Sequence, residues 1–319
     1  MKSNRKPNVV VFGGGTGLSV LLRGLKKFPV NITAVVTVAD DGGSSGRLRE
    51  ELDIIPPGDI RNVLAALSEV EPLVEQLFQH RFKNGNGLSG HSMGNLLLAA
   101  MSDITGNFVT GIRELSKVLN VRGRVLPASD QKVVLHAQLN DGSIVSGESK
   151  IPHTGKKIVR VFLTPDTVKP LSESLRAIRS ADLVLIGPGS LYTSILPSLL
   201  VPGITDAIKK SKAKKVYICN VMTQPGETDY FTAADHVNIL VAHIGHQIID
   251  TIIVNNSKVP DEVLKKYAFE GGEPVKYDET RLKSFGFHVI SDKIVQYNDS
   301  LIRHDAKRVS ELILDLVSD

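Results

Sequence analysis

The chain has no tryptophan, a single cysteine and only 5% aromatic residues in 319. One cysteine excludes an internal disulfide. Cys219 lies in the apolar run V-Y-I-C-N-V, where a thiol packs as a small hydrophobe. Long apolar runs are missing too: none approaches the ~20 residues of a membrane-spanning helix, so no membrane span is expected. The first residues, M-K-S-N-R-K-P, are basic but lead into a strand pattern instead of the apolar segment of a signal peptide. The expectation is a cytoplasmic protein. Charge of one sign is scarce as well, with 38 Lys and Arg against 34 Asp and Glu. The one basic cluster, Lys209, Lys210, Lys212, Lys214 and Lys215, closes a predicted helix, whose negative end it complements. No aromatic side chains interleave with it, so no nucleic-acid partner is expected. Neither a G-x-S-x-G elbow nor an H-E-x-x-H helix occurs, which argues against the common hydrolases.

What is present is alternation. Val9–Phe12, Ile32–Val38, Leu183–Ile186, Lys215–Val221 and Thr251–Asn255 are short runs rich in Val and Ile, the pattern of strands buried on both faces. Between them the periodicity predicts helices over Leu18–Lys27, Ile60–Leu67, Asn95–Ile104, Phe108–Leu119, Pro170–Ser180, Gly203–Ser211 and Tyr230–Ile244. Such alternation predicts an α/β fold, a Rossmann-like parallel sheet with helices on both faces, as one domain over residues 1–319. From about 122 to 163 the period changes to two, and Asn140-Asp141-Gly142 is a hairpin signal, so a small antiparallel β insertion is expected there. A mixed α/β part follows from about 257 and ends in an amphipathic helix, Ala306–Val317.

In open parallel sheets ligands bind beyond the carboxyl ends of the strands. After the first strand comes Gly13-Gly14-Gly15-Thr16-Gly17, then a helix. Four glycines in five residues allow a tight turn with its amides against a ligand, and a helix N-terminus attracts phosphate. The stretch departs from the dinucleotide pattern G-x-G-x-x-G, because Leu18 stands at the third glycine, so NAD is a weaker expectation than another phosphate-bearing ligand. The second strand ends at Asp40 and Asp41, which suit ribose hydroxyls or Mg²⁺ beside a diphosphate, or simply start a turn. Ser44 to Arg47 extend this loop, and Asp59 is expected to cap the helix after P-P-G-D. His91, in G-L-S-G-H-S-M-G-N, is either an acid, base or phosphate ligand, or a loop residue. A second glycine turn, Gly187-Pro188-Gly189-Ser190, again follows a strand, and Asn220 and M-T-Q-P-G-E-T-D follow the next one. His236, His243 and His246 suggest a metal, but no third strong ligand sits at a recognised spacing.

Taken together, V-V-V-F-G-G-G-T-G-L-S, V-A-D-D-G-G-S-S-G-R-L-R, P-P-G-D-I-R-N, S-G-H-S-M-G-N-L-L-L-A, I-G-P-G-S-L-Y-T-S and N-V-M-T-Q-P-G-E-T resemble, in this order, the CofD-like family. D-D-G-G-S-S-G-R resembles its bacterial gluconeogenesis-factor (YvcK-like) branch. The resemblance implies a protein that binds UDP-sugars, notably UDP-N-acetylglucosamine, and is needed for cell shape and envelope synthesis on gluconeogenic carbon sources. It also implies protein partners in envelope synthesis and leaves a homo-oligomer open. By the same resemblance Tyr267, in K-K-Y-A-F-E-G, and Arg303, in L-I-R-H-D, hold the ligand: Tyr267 stacks on uracil and Arg303 meets the diphosphate. The alternative is the chemistry of the family's namesake, 2-phospho-L-lactate transferase, which uses a nucleoside-diphosphate-linked donor and Mg²⁺.

Overall fold

Runs of Val, Ile and Leu that are apolar on both faces can form only the inner strands of a sheet covered on both sides. In the computed structural model, which describes residues 5–245, 248–269, 271–298 and 301–318, five of the strands are those expected. They are β1 (Asn8–Gly13), β2 (Asn31–Val36), β7 (Leu183–Ile186), β8 (Lys214–Ile218) and β9 (Thr251–Asn255). Two further strands, β3 (Arg124–Pro127) and β10 (His288–Asp292), complete a seven-stranded sheet. Its order is β10-β9-β8-β7-β1-β2-β3 and every neighbouring pair is parallel. Helices flank the sheet. The strand order reverses between β1 and β7, the place where open α/β sheets leave a crevice.

Arg124–Pro127 lies in the stretch expected to be antiparallel throughout, and the structure corrects this: β3 is the outer parallel strand of the main sheet. Four residues are too few to show a burial period. The antiparallel insertion proper consists of β4 (Val134–Leu139), β5 (Ile144–Ser146) and β6 (Ile158–Thr164), in the order β5-β4-β6. Its hairpin turn is where expected, with Gly142 at φ +85°. Another small antiparallel pair, β11 (Val295–Asn298) with β12 (Leu301–His304), stands beside the carboxyl end of the sheet.

The first helix, Gly15–Leu25, buries Leu18, Leu21, Leu22 and Leu25. It packs against helix Gly58–Leu67 and the last helix, Ala306–Ser318. This packing seats the glycine turn at its N-terminus rigidly over the crevice.

Candidate ligand site at the sheet crevice

Val9 to Phe12 pair in register with Leu183 to Ile186, so β1 and β7 end at the same level. The glycine turns that follow them therefore meet. A Cβ on Gly17 would lie 3.2 Å from the Pro188 carbonyl oxygen, and one on Gly189 would lie 3.3 Å from the Gly14 carbonyl oxygen. Gly15 holds φ +66°, a left-handed backbone that glycine adopts without strain. The helix starts at Gly15 and not near Leu18, which places Thr16 and Gly17 in its first turn, where amides lack intrahelical partners. Leu18 itself is fully buried in the core.

Around these turns lies a cavity of about 430 Å³. Gly14, Gly15, Thr16, Gly17, Gly189, Ser190 and Asn220 line one side, and Tyr267, Arg303 and His304 line the other. Gly13 and Gly187 are the last bends before it. Asn220 braces the second turn: its Nδ2 donates to the Gly189 carbonyl at 2.9 Å, and its Oδ1 accepts from the Gly189 amide at 3.3 Å. Gln224 Nε2 donates to the Ser190 hydroxyl at 2.6 Å. Tyr267, on helix Asp261–Phe269, accepts the Ile302 amide on its hydroxyl at 2.9 Å, which fixes the ring against β12. Arg303 Nη1 donates to the Ile302 carbonyl at 2.9 Å. His304 donates Nε2–H to the Cys219 carbonyl at 3.1 Å, and burial lowers its pKa to about 4. Burial also pushes the Cys219 thiol up to about 12. Gln224 belongs to M-T-Q-P-G-E-T-D, the segment expected after β8, whereas His304 stands in L-I-R-H-D beside Arg303 and was not itself expected at the site.

Asp40, Asp41 and Ser44 lie outside this cavity lining, in a polar cluster next to it. Asp40 accepts the Gly42 amide at 2.9 Å, and burial raises its pKa. Asp59 was expected as a helix cap, but the cap position is Pro57. Its Oδ1 instead accepts the Gly15 amide of the first glycine turn at 2.8 Å. Burial, and then the neighbouring Asp40, raise the Asp59 pKa to about 7. Glu148, from the insertion, is raised to about 8, by burial first and then by Asp40 and Asp59. No local pattern marked it, because the insertion delivers it from a distant part of the chain. Asp41 turns away from Asp40: its Oδ1 accepts the Ser149 amide at 2.8 Å and ties the loop to the insertion. Ser44 is buried, with its hydroxyl 3.0 Å from His91 Nδ1 and 3.0 Å from Asn95 Nδ2. His91 is thus a buried loop anchor whose pKa burial lowers.

Among the described residues no group of three His, Cys, Asp or Glu is placed to hold a metal ion by itself. His243 uses both ring nitrogens within the protein, donating from Nδ1 to the Ile239 carbonyl and accepting the Val161 amide on Nε2. His246 lies outside the described residues. No single described helix is long and apolar enough to cross a membrane.

Comparison with known proteins gives a consistent result. The family model described as 2-phospho-L-lactate transferase CofD matches residues 9–295. A protein of Halalkalibacterium halodurans named gluconeogenesis factor is 67% identical over 98% of this chain and 97% of its own. One of the same name from Bacillus subtilis is 63% identical over 99% of both chains. A crystal structure of a Bacillus halodurans protein, 67% identical, superposes with a TM-score of 0.95 over 97% of this chain and all of that one. The order of the motifs, the fold and these likenesses lead to one conclusion: the chain belongs to the CofD family.

Proposed function

We propose that this chain binds a nucleotide sugar, UDP-N-acetylglucosamine, in the crevice between β1 and β7, and acts as a gluconeogenesis factor in the manner of its named relatives. The observation that carries the reading is the convergence of two glycine turns with Tyr267 and Arg303 around one cavity. Exposed amides of the first helical turn meet the diphosphate, the Arg303 guanidinium neutralises it, and the Tyr267 ring supplies a stacking face. The cavity is of the size usual for small-molecule sites. The roles in cell shape and envelope synthesis follow from the same reading. Isothermal titration with UDP-N-acetylglucosamine tests it. Saturable heat that Arg303→Ala removes is the expected result, and no heat at millimolar ligand with folded protein rejects the reading.

A second reading, a transferase with a nucleoside-diphosphate-linked donor and Mg²⁺, draws support from the carboxyl groups of Asp40, Asp59 and Glu148 beside the first glycine turn. The two adjacent aspartates diverge, so Asp40 with Asp59, and not Asp40 with Asp41, would face such an ion. It would neutralise charge on the phosphates. Lacking a complete protein cage, the ion would take further ligands from phosphate oxygens and water. Titration of Mg²⁺ alone then gives no saturable heat, whereas Mg²⁺ with UDP present does. Nucleotide release that Asp40→Asn abolishes would favour the transferase; ligand recovered unchanged favours the binding protein.

A further inference from the structure

We propose a second ligand site, at the amino end of the sheet, for a small polyvalent oxyanion of the phosphate type. The first cavity opens at the carboxyl ends of the strands, so this site lies at the opposite end of β1 and β2.

Side chains alternate between the two faces of a strand, and in-register partners on neighbouring strands share a face. Asn8 pairs with Asn31, Val10 with Thr33, and Thr33 with Arg124. Lys6 and Arg122 each stand two residues before a member of this set. One face of β1, β2 and β3 is therefore polar and cationic where the strands begin. The other face follows the usual rule for a parallel sheet: Val9, Ile32 and Val125 are all apolar and buried. The polar face does not close against the helix over it, Ser172–Arg179. Between them lies a hollow of about 450 Å³, lined on the sheet side by Lys6, Asn8, Asn31, Thr33, Arg122 and Arg124 and on the helix side by Ala177.

The charge of this hollow has one sign. Among the described residues no aspartate or glutamate lines it. Two carboxylates stand nearby and both are engaged. Glu69 pairs with Arg122 at 3.5 Å, and Asp182 accepts from Arg5 and from the Asn8 amide. Lys6 and Arg124 form no ion pair among the described residues, and Arg124 Nη2 donates to the Thr33 hydroxyl at 3.1 Å. Cations often gather at helix C-termini. Here the carbonyl of Ser180, just past the helix, accepts from Asn8 Nδ2 at 3.0 Å and not from a cation. An anion with several oxygens offsets the mutual repulsion of three cations and accepts from the forked guanidinium donors, with the asparagine amides beside them. Two linked phosphates fill such a hollow better than one.

Calorimetric titration at constant ionic strength tests the site, with pyrophosphate, inorganic phosphate and citrate as probes. The chain used carries Arg303→Ala, so that a failure of the first cavity and a failure of this one are read separately. Saturable heat with pyrophosphate, tighter than with inorganic phosphate or citrate, is expected. Adding Arg124→Glu or Lys6→Glu should weaken it roughly tenfold or more, as loss of a charge-assisted contact does. Lys6 is exposed and precedes β1, so Lys6→Glu carries the test should Arg124→Glu fail to fold, as checked by circular dichroism. Three outcomes overturn the proposal: no saturable heat at millimolar pyrophosphate with folded chain, an affinity indifferent to either substitution, or citrate bound as tightly as pyrophosphate. A soak of the natural chain with pyrophosphate checks the same point without substitution: density between Lys6 and Arg124 supports the site, and density only at the glycine turns rejects it.

Discussion

Asn220 is the residue whose role changed most between sequence and structure. Its position after β8 suggested a ligand contact, but both ends of its amide are engaged with the Gly189 backbone. It therefore holds the second glycine turn in place, and in the proposed function it would act on the ligand only through that turn. Asn220→Ala leaves the Gly189 amide and carbonyl without these partners, which costs about 1–2 kcal/mol per lost bond. The expected outcome is a several-fold weaker affinity for UDP-N-acetylglucosamine with the thermal midpoint also lowered, read by titration and calorimetry. Glu227 gives a prediction of the opposite kind. Burial raises its pKa from the ordinary 4.5 to about 7. The folded state therefore holds the proton more tightly than the unfolded chain does. The stability this contributes is fully present below about 4.5 and is lost as pH rises through about 7. Glu227→Gln keeps an acceptor for Tyr192 and Thr193 and removes the ionisation. Its thermal midpoint should exceed that of the natural chain at pH 8 by a few degrees, and the gap should close toward pH 5.

Among the elements, the first helix carries the clearest constraint. Alanine normally favours a helix over glycine by about 1 kcal/mol. At Gly24 a Cβ would lie 2.5 Å from the Ala306 carbonyl oxygen of the last helix, so packing overrides propensity. Gly24→Ala should lower stability by about 1–3 kcal/mol, the usual cost of overpacking, in a denaturant titration. Gly226 is similar, since a Cβ there would strike the Pro152 carbonyl oxygen where the loop after β8 meets the insertion. Asp41→Ala tests the other attachment of the insertion: without the bond to the Ser149 amide, limited proteolysis should cut faster near Glu148. The elements most legible in the sequence were those buried on both faces. β10 was missed because none of its five residues is fully buried and its apolar run stops at Ile290, and β3 because its short apolar run, Val125-Leu126, ends in a proline and joins the alternating stretch that follows. The helix start at Gly15 was placed too late because glycine carries little helical signal of its own, and the turn is helical only because the sheet and Asp59 hold it.

For the whole molecule, the proposed ligand binding would be linked to folding. A ligand that binds only the folded chain stabilises it by about 2.7 kcal/mol at a hundredfold excess over its dissociation constant. UDP-N-acetylglucosamine should accordingly raise the melting temperature of the natural chain, and of Gly24→Ala in parallel, but not of Arg303→Ala. Local chemistry in the sequence already determined the alternation of buried strands and helices, the two glycine turns at strand ends and the hairpin of the insertion, because each depends on neighbours within a few residues. Tertiary structure alone decided that the two turns touch, that Asp59 and Glu148 join Asp40 while Asp41 faces away, and that Tyr267 and Arg303 close the far side of the cavity. Those placements follow from the parallel register of β1 with β7 and from the packing of the insertion, contacts between residues far apart in the chain that no local pattern encodes.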